Sequence, residues 1–75
     1  MTTSLGQRIA GEIRAELGRQ DLTQGALAVA LGRSEAYISV RLAKDEPKSF
    51  NTADLEKVAA FLNVPVSQLL TERVA

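Results

Sequence analysis

The strongest constraint on the fold is a series of helix-capping residues, each followed by a short segment with apolar side chains at helical spacing. Side chains of Ser, Thr and Asn accept hydrogen bonds from the free N–H groups at the start of a helix. Such residues precede four segments, at Ser4, Thr23, Ser34 and Asn51. No alternation of apolar and polar residues, the pattern of a strand, exceeds four residues. The sequence therefore predicts an all-α chain.

The apolar spacing predicts five helices within a single domain of residues 1–75, at about 5–18, 24–31, 35–43, 52–62 and 66–71. Gln7 should complete a capping box with Ser4, and Phe50 should pack on Leu55 as a hydrophobic staple. Gly18 and the polar segment Arg19-Gln20-Asp21 are expected to mark the end of the first helix, and Gly32 the end of the second. The residues expected to face the core are Ile9, Ile13, Leu17, Leu27, Ala28, Leu31, Ile38, Leu42, Leu55, Val58, Ala59, Leu62, Val66, Leu69 and Leu70. A dimer surface is the alternative for Val66, Leu69, Leu70 and Val74.

Composition excludes several classes of function. The 75 residues contain no Cys and no His, so thiol nucleophiles, histidine bases and the commonest zinc ligands are absent. Asp54 and Glu56 lie two residues apart on a helix and point to different faces, which does not suit paired acid–base catalysis. We therefore expect no enzyme, no metal and no cofactor. The longest apolar run, Ala26 to Leu31, has six residues, so we expect a cytoplasmic protein without a membrane segment.

Charge alone does not predict a nucleic-acid-binding protein. Nine Lys and Arg residues balance nine Asp and Glu residues, for a net charge of zero. A protein that held nucleic acid by bulk charge would have an excess of basic residues. Any nucleic-acid binding must therefore come from the local arrangement of a few side chains.

The segment from Leu22 to Leu42 is the most informative one. Its two predicted helices are joined by a very tight turn at Gly32, because glycine adopts a left-handed conformation readily. The small Ala28 lets the helices cross closely, and Ile38 holds the pair against the core. This pattern indicates a helix-turn-helix, whose second helix lies in the major groove of DNA.

In these residues the chain resembles the Cro/repressor-type (XRE, lambda-repressor-like) helix-turn-helix family. The matches are Leu22-Thr23-Gln24, Leu27-Ala28, Gly32, Ser34, Tyr37-Ile38-Ser39, Leu55-Glu56, Val58-Ala59, Leu62, Val64 and Leu69-Leu70. The resemblance covers roughly residues 5–70 and implies a compact five-helix lambda-repressor-like domain. It implies a sequence-specific transcriptional regulator of phage or prophage type, which represses by binding a double-stranded DNA operator as a homodimer. Both a complete Cro-like regulator and the N-terminal domain of a longer immunity repressor fit this pattern. No small-molecule substrate is expected.

The resemblance also implies roles for individual residues. Gln24 matches a glutamine that anchors a DNA phosphate, and Ser34 stands where it can cap the recognition helix and contact a phosphate. The outward positions that face base edges are Glu35, Ala36, Ser39 and Val40. The flanking positions suited to phosphate contact are Arg33, Tyr37, Arg41 and Lys44.

Structural roles remain open for several of these residues. Glu35 is also an acid at a helix N-terminus, which the helix dipole favours without DNA. Tyr37 is equally compatible with partial core packing and a hydroxyl at the surface, and Arg14 and Arg19 are expected on a solvated helix face. The second helix is unusually apolar, through Gly25, Ala26, Val29 and Ala30. That surface favours the alternative function, a protein-interaction module on the same scaffold, such as an antitoxin or adaptor.

Overall fold

The computed structural model describes residues 4–70, and in this range the chain forms five α-helices and no strand. The helices are α1 (Leu5–Arg19), α2 (Gln24–Leu31), α3 (Glu35–Arg41), α4 (Thr52–Leu62) and α5 (Val66–Leu70). The all-helical class and the number of helices are therefore confirmed. Residue 71, the predicted last residue of the fifth helix, lies outside the described range.

The predicted helix starts are confirmed at all four capping residues. Ser4 Oγ accepts from the backbone N–H of Gln7 at 3.1 Å, and Gln7 Oε1 accepts from the backbone N–H of Ser4 at 3.0 Å, which completes the capping box. The side chains of Thr23, Ser34 and Asn51 accept from the backbone N–H three residues later, at 3.0, 3.1 and 2.7 Å. Each bond satisfies a donor that has no partner inside its helix.

The predicted ends of the first two helices are confirmed, but only the second has a left-handed glycine. Gly32 ends α2 in the left-handed region, with φ of 68°, as its position predicts. Helix α1 ends at Arg19, within the predicted segment and one residue beyond the predicted bound, and the left-handed residue after it is Asp21, with φ of 57°. Gly18 lies within the helix and supplies a carbonyl that accepts from Asp21 N at 3.2 Å.

The predicted extension of the third helix to residue 43 is wrong, because α3 ends at Arg41. Three hydrogen bonds from residues outside the helix explain the early end. Lys48 N donates to Val40 O at 3.1 Å and occupies a carbonyl that a longer helix would use. The guanidinium of Arg14, on α1, donates to the carbonyl of Leu42 and lies 3.4 Å from the carbonyl of Ala43.

Residues from all five helices form one core. Helix α2 packs on α3 and α4, while α5 packs on α1 and α4. The buried apolar residues are Ala10, Ile13, Leu17, Leu27, Ala28, Leu31, Ile38, Leu42, Phe50, Val58, Ala59, Leu62 and Leu69. Ile9, Leu55 and Val66 are half-buried against this cluster. The staple residues Phe50 and Leu55 line one groove of about 260 Å³ beside α1.

Leu70 was predicted to face inward, and this is wrong: its side chain is 43% exposed. Leu69 is the buried residue of α5, which packs against α1 and α4. Leu70 follows it directly, so its side chain leaves the helix in a different direction, toward solvent. Val74 lies outside the described residues. No helix within residues 4–70 combines the length and apolar character needed to cross a bilayer.

Candidate nucleic-acid interface

The outer side of α3 is exposed, and no helix within residues 4–70 covers it. Its inner residue, Ile38, is fully buried and fixes the helix to the core. The four residues predicted to face base edges are all exposed: Glu35, Ala36, Ser39 and Val40. Val40 is 44% exposed despite its branched apolar side chain. The α3 surface, as we call these four residues, thus offers one carboxylate, one hydroxyl and two apolar groups.

Glu35 lies over the beginning of α2 as well as at the beginning of α3. A methyl group at Gly25 would be 3.4 Å from Glu35 Oε1 and 3.8 Å from Thr23 Oγ1. These are ordinary van der Waals distances, so the Glu35 carboxylate lies directly beside the first turn of α2. This position agrees with the helix-dipole role, and the exposure of Glu35 keeps its two acceptor oxygens accessible.

Two predicted phosphate contacts stand at helix starts. Gln24 is the first residue of α2 and is half-buried, while Ser34 is the exposed cap of α3. Ser34 Oγ accepts from the backbone N–H of Tyr37, which leaves the hydroxyl hydrogen as a donor. Both residues can therefore donate a hydrogen bond to an anionic oxygen.

The predicted partial core packing of Tyr37 is confirmed, because its ring packs against the buried cluster, but its hydroxyl is not free at the surface. Its side chain is half-buried, and its hydroxyl donates to Oδ2 of Asp54 on α4. The Asp54 side chain is only 1% exposed, and its Oδ1 lies 3.4 Å from Nη2 of Arg33. Tyr37 and Arg33 therefore share one buried carboxylate instead of standing free beside the α3 surface.

Two arginines, Arg33 before α3 and Arg41 at its last position, contact the ring of Tyr37. Cζ of Arg33 is 4.6 Å from the ring centroid and Cζ of Arg41 is 3.5 Å from it. Arg41 also donates from Nη1 to the backbone carbonyl of Tyr37 at 3.1 Å, and its buried Nε has no hydrogen-bond partner. Cation–π contacts of this kind hold a guanidinium over a ring. Lys44, by contrast, is exposed in the loop that follows α3.

The electrostatics of this cluster favour a charged Asp54. The hydrogen bond from Tyr37 lowers the pKa of Asp54 below its ordinary value of 3.8, burial opposes this effect, and Arg33 lowers the pKa further. The same hydrogen bond is the main reason that the pKa of Tyr37 is raised above 10.0. Asp54 is therefore a carboxylate and Tyr37 a protonated donor at neutral pH.

Two residues of this region were missed or misassigned from sequence. The burial of Asp54 was not visible in the sequence. An acidic residue in the first turn after the cap Asn51 is favoured by the helix dipole even when it is exposed. Arg14 was placed on a solvated face, but it is half-buried and bonds the end of α3. The expectation for Arg19 is confirmed, because its side chain is 51% exposed and pairs with Glu16 at 2.6 Å.

The described residues contain no group of three or more His, Cys, Asp or Glu side chains that could hold a metal ion.

Three comparisons, with protein-family models, with curated proteins and with solved structures, found no match for this chain.

Proposed function

We propose that this protein is a sequence-specific DNA-binding transcriptional regulator with a lambda-repressor-like helix-turn-helix formed by α2 and α3. In this proposal α3 enters the major groove of an operator and α2 crosses the phosphate backbone. Repression is the regulatory outcome that the resemblance to phage and prophage regulators implies.

The observation that carries the proposal is the exposure of α3 along its outer side. Seven residues at 1.5 Å per residue make a rod about 10 Å long, and the major groove is about 12 Å wide and 8.5 Å deep. Ile38 anchors the inner side of α3 in the core. The left-handed turn at Gly32 allows a very short connection between α2 and α3. A short exposed helix on a rigid base is the geometry of direct groove readout.

The chemistry of the α3 surface limits which bases it could read. The Glu35 carboxylate only accepts hydrogen bonds and suits the N4 amino group of cytosine. Ala36 and Val40 present methyl groups that suit the methyl group of thymine, and Ser39 suits either kind of edge. Arg, Asn and Gln, the usual readers of guanine and adenine, are absent from this surface. We therefore expect an operator half-site in which cytosine and thymine contacts dominate.

Phosphate contacts would come from residues around that surface. Gln24 and Ser34 would donate from the two helix starts, and Arg33, Arg41 and Lys44 would supply charge. The ring of Tyr37 supports Arg33 and Arg41, so these two guanidinium groups are held near α3 before DNA binds. Tyr37 itself would act through the arginines, because its hydroxyl is bonded to Asp54.

We further propose that the protein binds its operator as a homodimer, on half-sites about 34 Å apart, one helical turn of DNA. The 43% exposed Leu70 on α5 is available for a contact between two copies.

A second candidate function rests on α2. Val29 is 82% exposed, and Ala30 beside it is exposed as well. These exposed apolar side chains on α2 favour a surface that meets a protein partner, as in an antitoxin or adaptor. In that case α2 and α3 would bind protein, and DNA affinity would be weak.

Titration of the purified chain with random duplex DNA at several salt concentrations separates the two functions. A DNA-binding protein should lose affinity linearly on a log–log plot, with a slope of about −0.9 for each phosphate neutralised. Absence of binding at about 50 mM salt, where such contacts are strong, would favour the protein partner. Selection from a random duplex pool would then report the operator and its symmetry.

Two substitutions test the assigned roles. Arg33→Ala should weaken binding to all duplexes alike and make the salt slope shallower by about 0.9. Glu35→Ala should change which sequence is preferred, by about 1–3 kcal/mol at one base pair. Equal effects of both variants on every sequence would refute these roles, and Val29→Ser is the control that should leave DNA binding unchanged.

A further inference from the structure

Asp54 is the one buried charged residue within residues 4–70, and it does not belong to the α2–α3 segment. Its backbone N–H is bonded to the cap Asn51 at 2.7 Å, which fixes its place in the first turn of α4. Its carboxylate reaches two residues near α3, by accepting from the Tyr37 hydroxyl and pairing with Arg33. A buried carboxylate with two partners that are distant in sequence holds both of them in place.

We propose that Asp54 is a positioning residue for DNA binding, which holds the Arg33 guanidinium in the orientation that contacts an operator phosphate. This inference rests on the proposed function and adds to it a residue outside the helix-turn-helix. Asp54 contacts no DNA in this proposal. It acts through Arg33 directly, and through Tyr37, whose ring lies under Arg33 at 4.6 Å.

The contact leaves Arg33 able to bind a phosphate. Its pairing with Asp54 uses Nη2, while 41% of the side chain remains exposed. A guanidinium has five N–H donors in a planar arrangement, so one edge can bond a carboxylate while another bonds a phosphate oxygen. The pair with Asp54 therefore orients the Arg33 guanidinium and leaves other N–H donors of this group for a phosphate.

Positioning has a measurable benefit because a long side chain loses rotamer freedom when it binds. Ordering one such side chain costs about three- to tenfold in affinity. In this protein Asp54 and the Tyr37 ring order Arg33 in the free state, so the loss on binding DNA is smaller. The Asp54 charge opposes DNA binding in principle, but it is buried and partnered, with the Arg33 charge beside it.

The test is a double-mutant cycle on duplex DNA with the full chain, measured at several salt concentrations. The variants are Asp54→Asn, Arg33→Ala and the double variant. Glu56→Gln is the matched control, since it changes the charge equally on the same helix at an exposed position. Asp54→Asn should bind about three- to tenfold more weakly than Glu56→Gln, with a salt slope shallower by up to about 0.9. In the Arg33→Ala background, Asp54→Asn should have no further effect on affinity.

Equal affinities of Asp54→Asn and Glu56→Gln would overturn the proposal. A full further loss when Asp54→Asn is added to Arg33→Ala would also overturn it, because Asp54 would then act through the general structure. Failure of the unaltered chain to bind any duplex refutes the proposed function, and the inference with it.

Two further measurements test the proposal without the Asp54→Asn variant, in case that variant does not fold. Arg33→Lys leaves Asp54 in place and keeps the charge, but it removes the planar group that bonds two oxygens at once. It should weaken binding about threefold or more, and unchanged affinity would refute the proposal. Nitrogen relaxation of the Arg33 Nε–H group in the free protein should show an ordered side chain. Motion as fast as that of an unstructured arginine would refute positioning without any DNA measurement.

Discussion

Replacing Asp54 by Asn should destabilise the protein at neutral pH and have little effect in acid. The hydrogen bond from Tyr37 is the largest influence on Asp54, and it lowers the pKa of this carboxyl below 3.8 in the folded state. A group whose pKa is lowered by folding stabilises the protein above its unfolded pKa. That contribution disappears as the pH falls through the folded pKa, where the carboxyl becomes protonated and resembles an amide.

The magnitude follows from the contacts of Asp54. A hydrogen bond to a charged group contributes about 1.5–3 kcal/mol, and a neutral one contributes about 0.5–1.5 kcal/mol. Asn can still accept one bond through its Oδ1, so the change from charged to neutral costs about 1–2 kcal/mol at Asp54. The pair with Arg33 adds less than about 1 kcal/mol, because Arg33 is 41% exposed and the atoms are 3.4 Å apart. We expect a total loss of about 1–2.5 kcal/mol at pH 7, or roughly 5–15 °C in Tm.

Urea unfolding of the unaltered chain, Asp54→Asn and the control Glu56→Gln, from pH 7 down to about pH 2, tests this expectation. The curves of the unaltered chain and Asp54→Asn should converge below the ordinary carboxyl range, while Glu56→Gln should stay within about 0.5 kcal/mol of the unaltered chain at pH 7. A difference that stays constant down to acid pH would show that the loss comes from packing. Equal stability at pH 7 would show that the buried carboxylate contributes nothing.

Three other predictions test the local structure, two of them by urea unfolding and the third by thermal melting. Gly32→Ala should lower the free energy of unfolding by about 1–2 kcal/mol, because a residue with a side chain is strained at φ of 68° even where the surrounding space is open. Gly18→Ala, in helical backbone, should instead raise the free energy of unfolding by up to about 1 kcal/mol. The reverse order would refute the conformational argument. Arg14→Met should lower the free energy of unfolding by about 1–3 kcal/mol, because the part-buried carbonyls at the end of α3 lose their donor. Arg19→Met, at an exposed position, should lower it by less than about 0.5 kcal/mol. Equal costs would contradict the role of Arg14. Ser34→Ala should cost about 1 kcal/mol through loss of the α3 cap, and circular dichroism at the melting transition measures it.

Local chemistry explains which features were predictable from the chain. A cap acts on an N–H group three residues away, and apolar spacing reports one helix face. The starts of α1 to α4 and most of the core residues were therefore predicted correctly, as was the left-handed Gly32. The errors fall where distant residues meet. The end of α3 depends on Arg14, which is 28 residues away from Leu42 in sequence.

The candidate site divides in the same way. Helical spacing was enough to predict that Glu35, Ala36, Ser39 and Val40 share the outer side of one helix, and the structure leaves all four exposed. The cluster of Asp54, Tyr37 and Arg33 was not predictable, because Asp54 reads as an ordinary acid at a helix start. Its burial results from packing α4 against the α2–α3 pair, which no local pattern encodes.

The amino-acid sequence by itself determined the five helices, the caps that begin the first four and most of the residues that each helix buries, because these depend on contacts within a few residues. Only the tertiary structure decided which polar groups lie between helices. Burial makes a polar group costly unless a partner is within reach, and that partner is chosen by how the helices pack. Asp54 pairs with Tyr37 and Arg33, and Arg14 bonds the end of α3, for this reason.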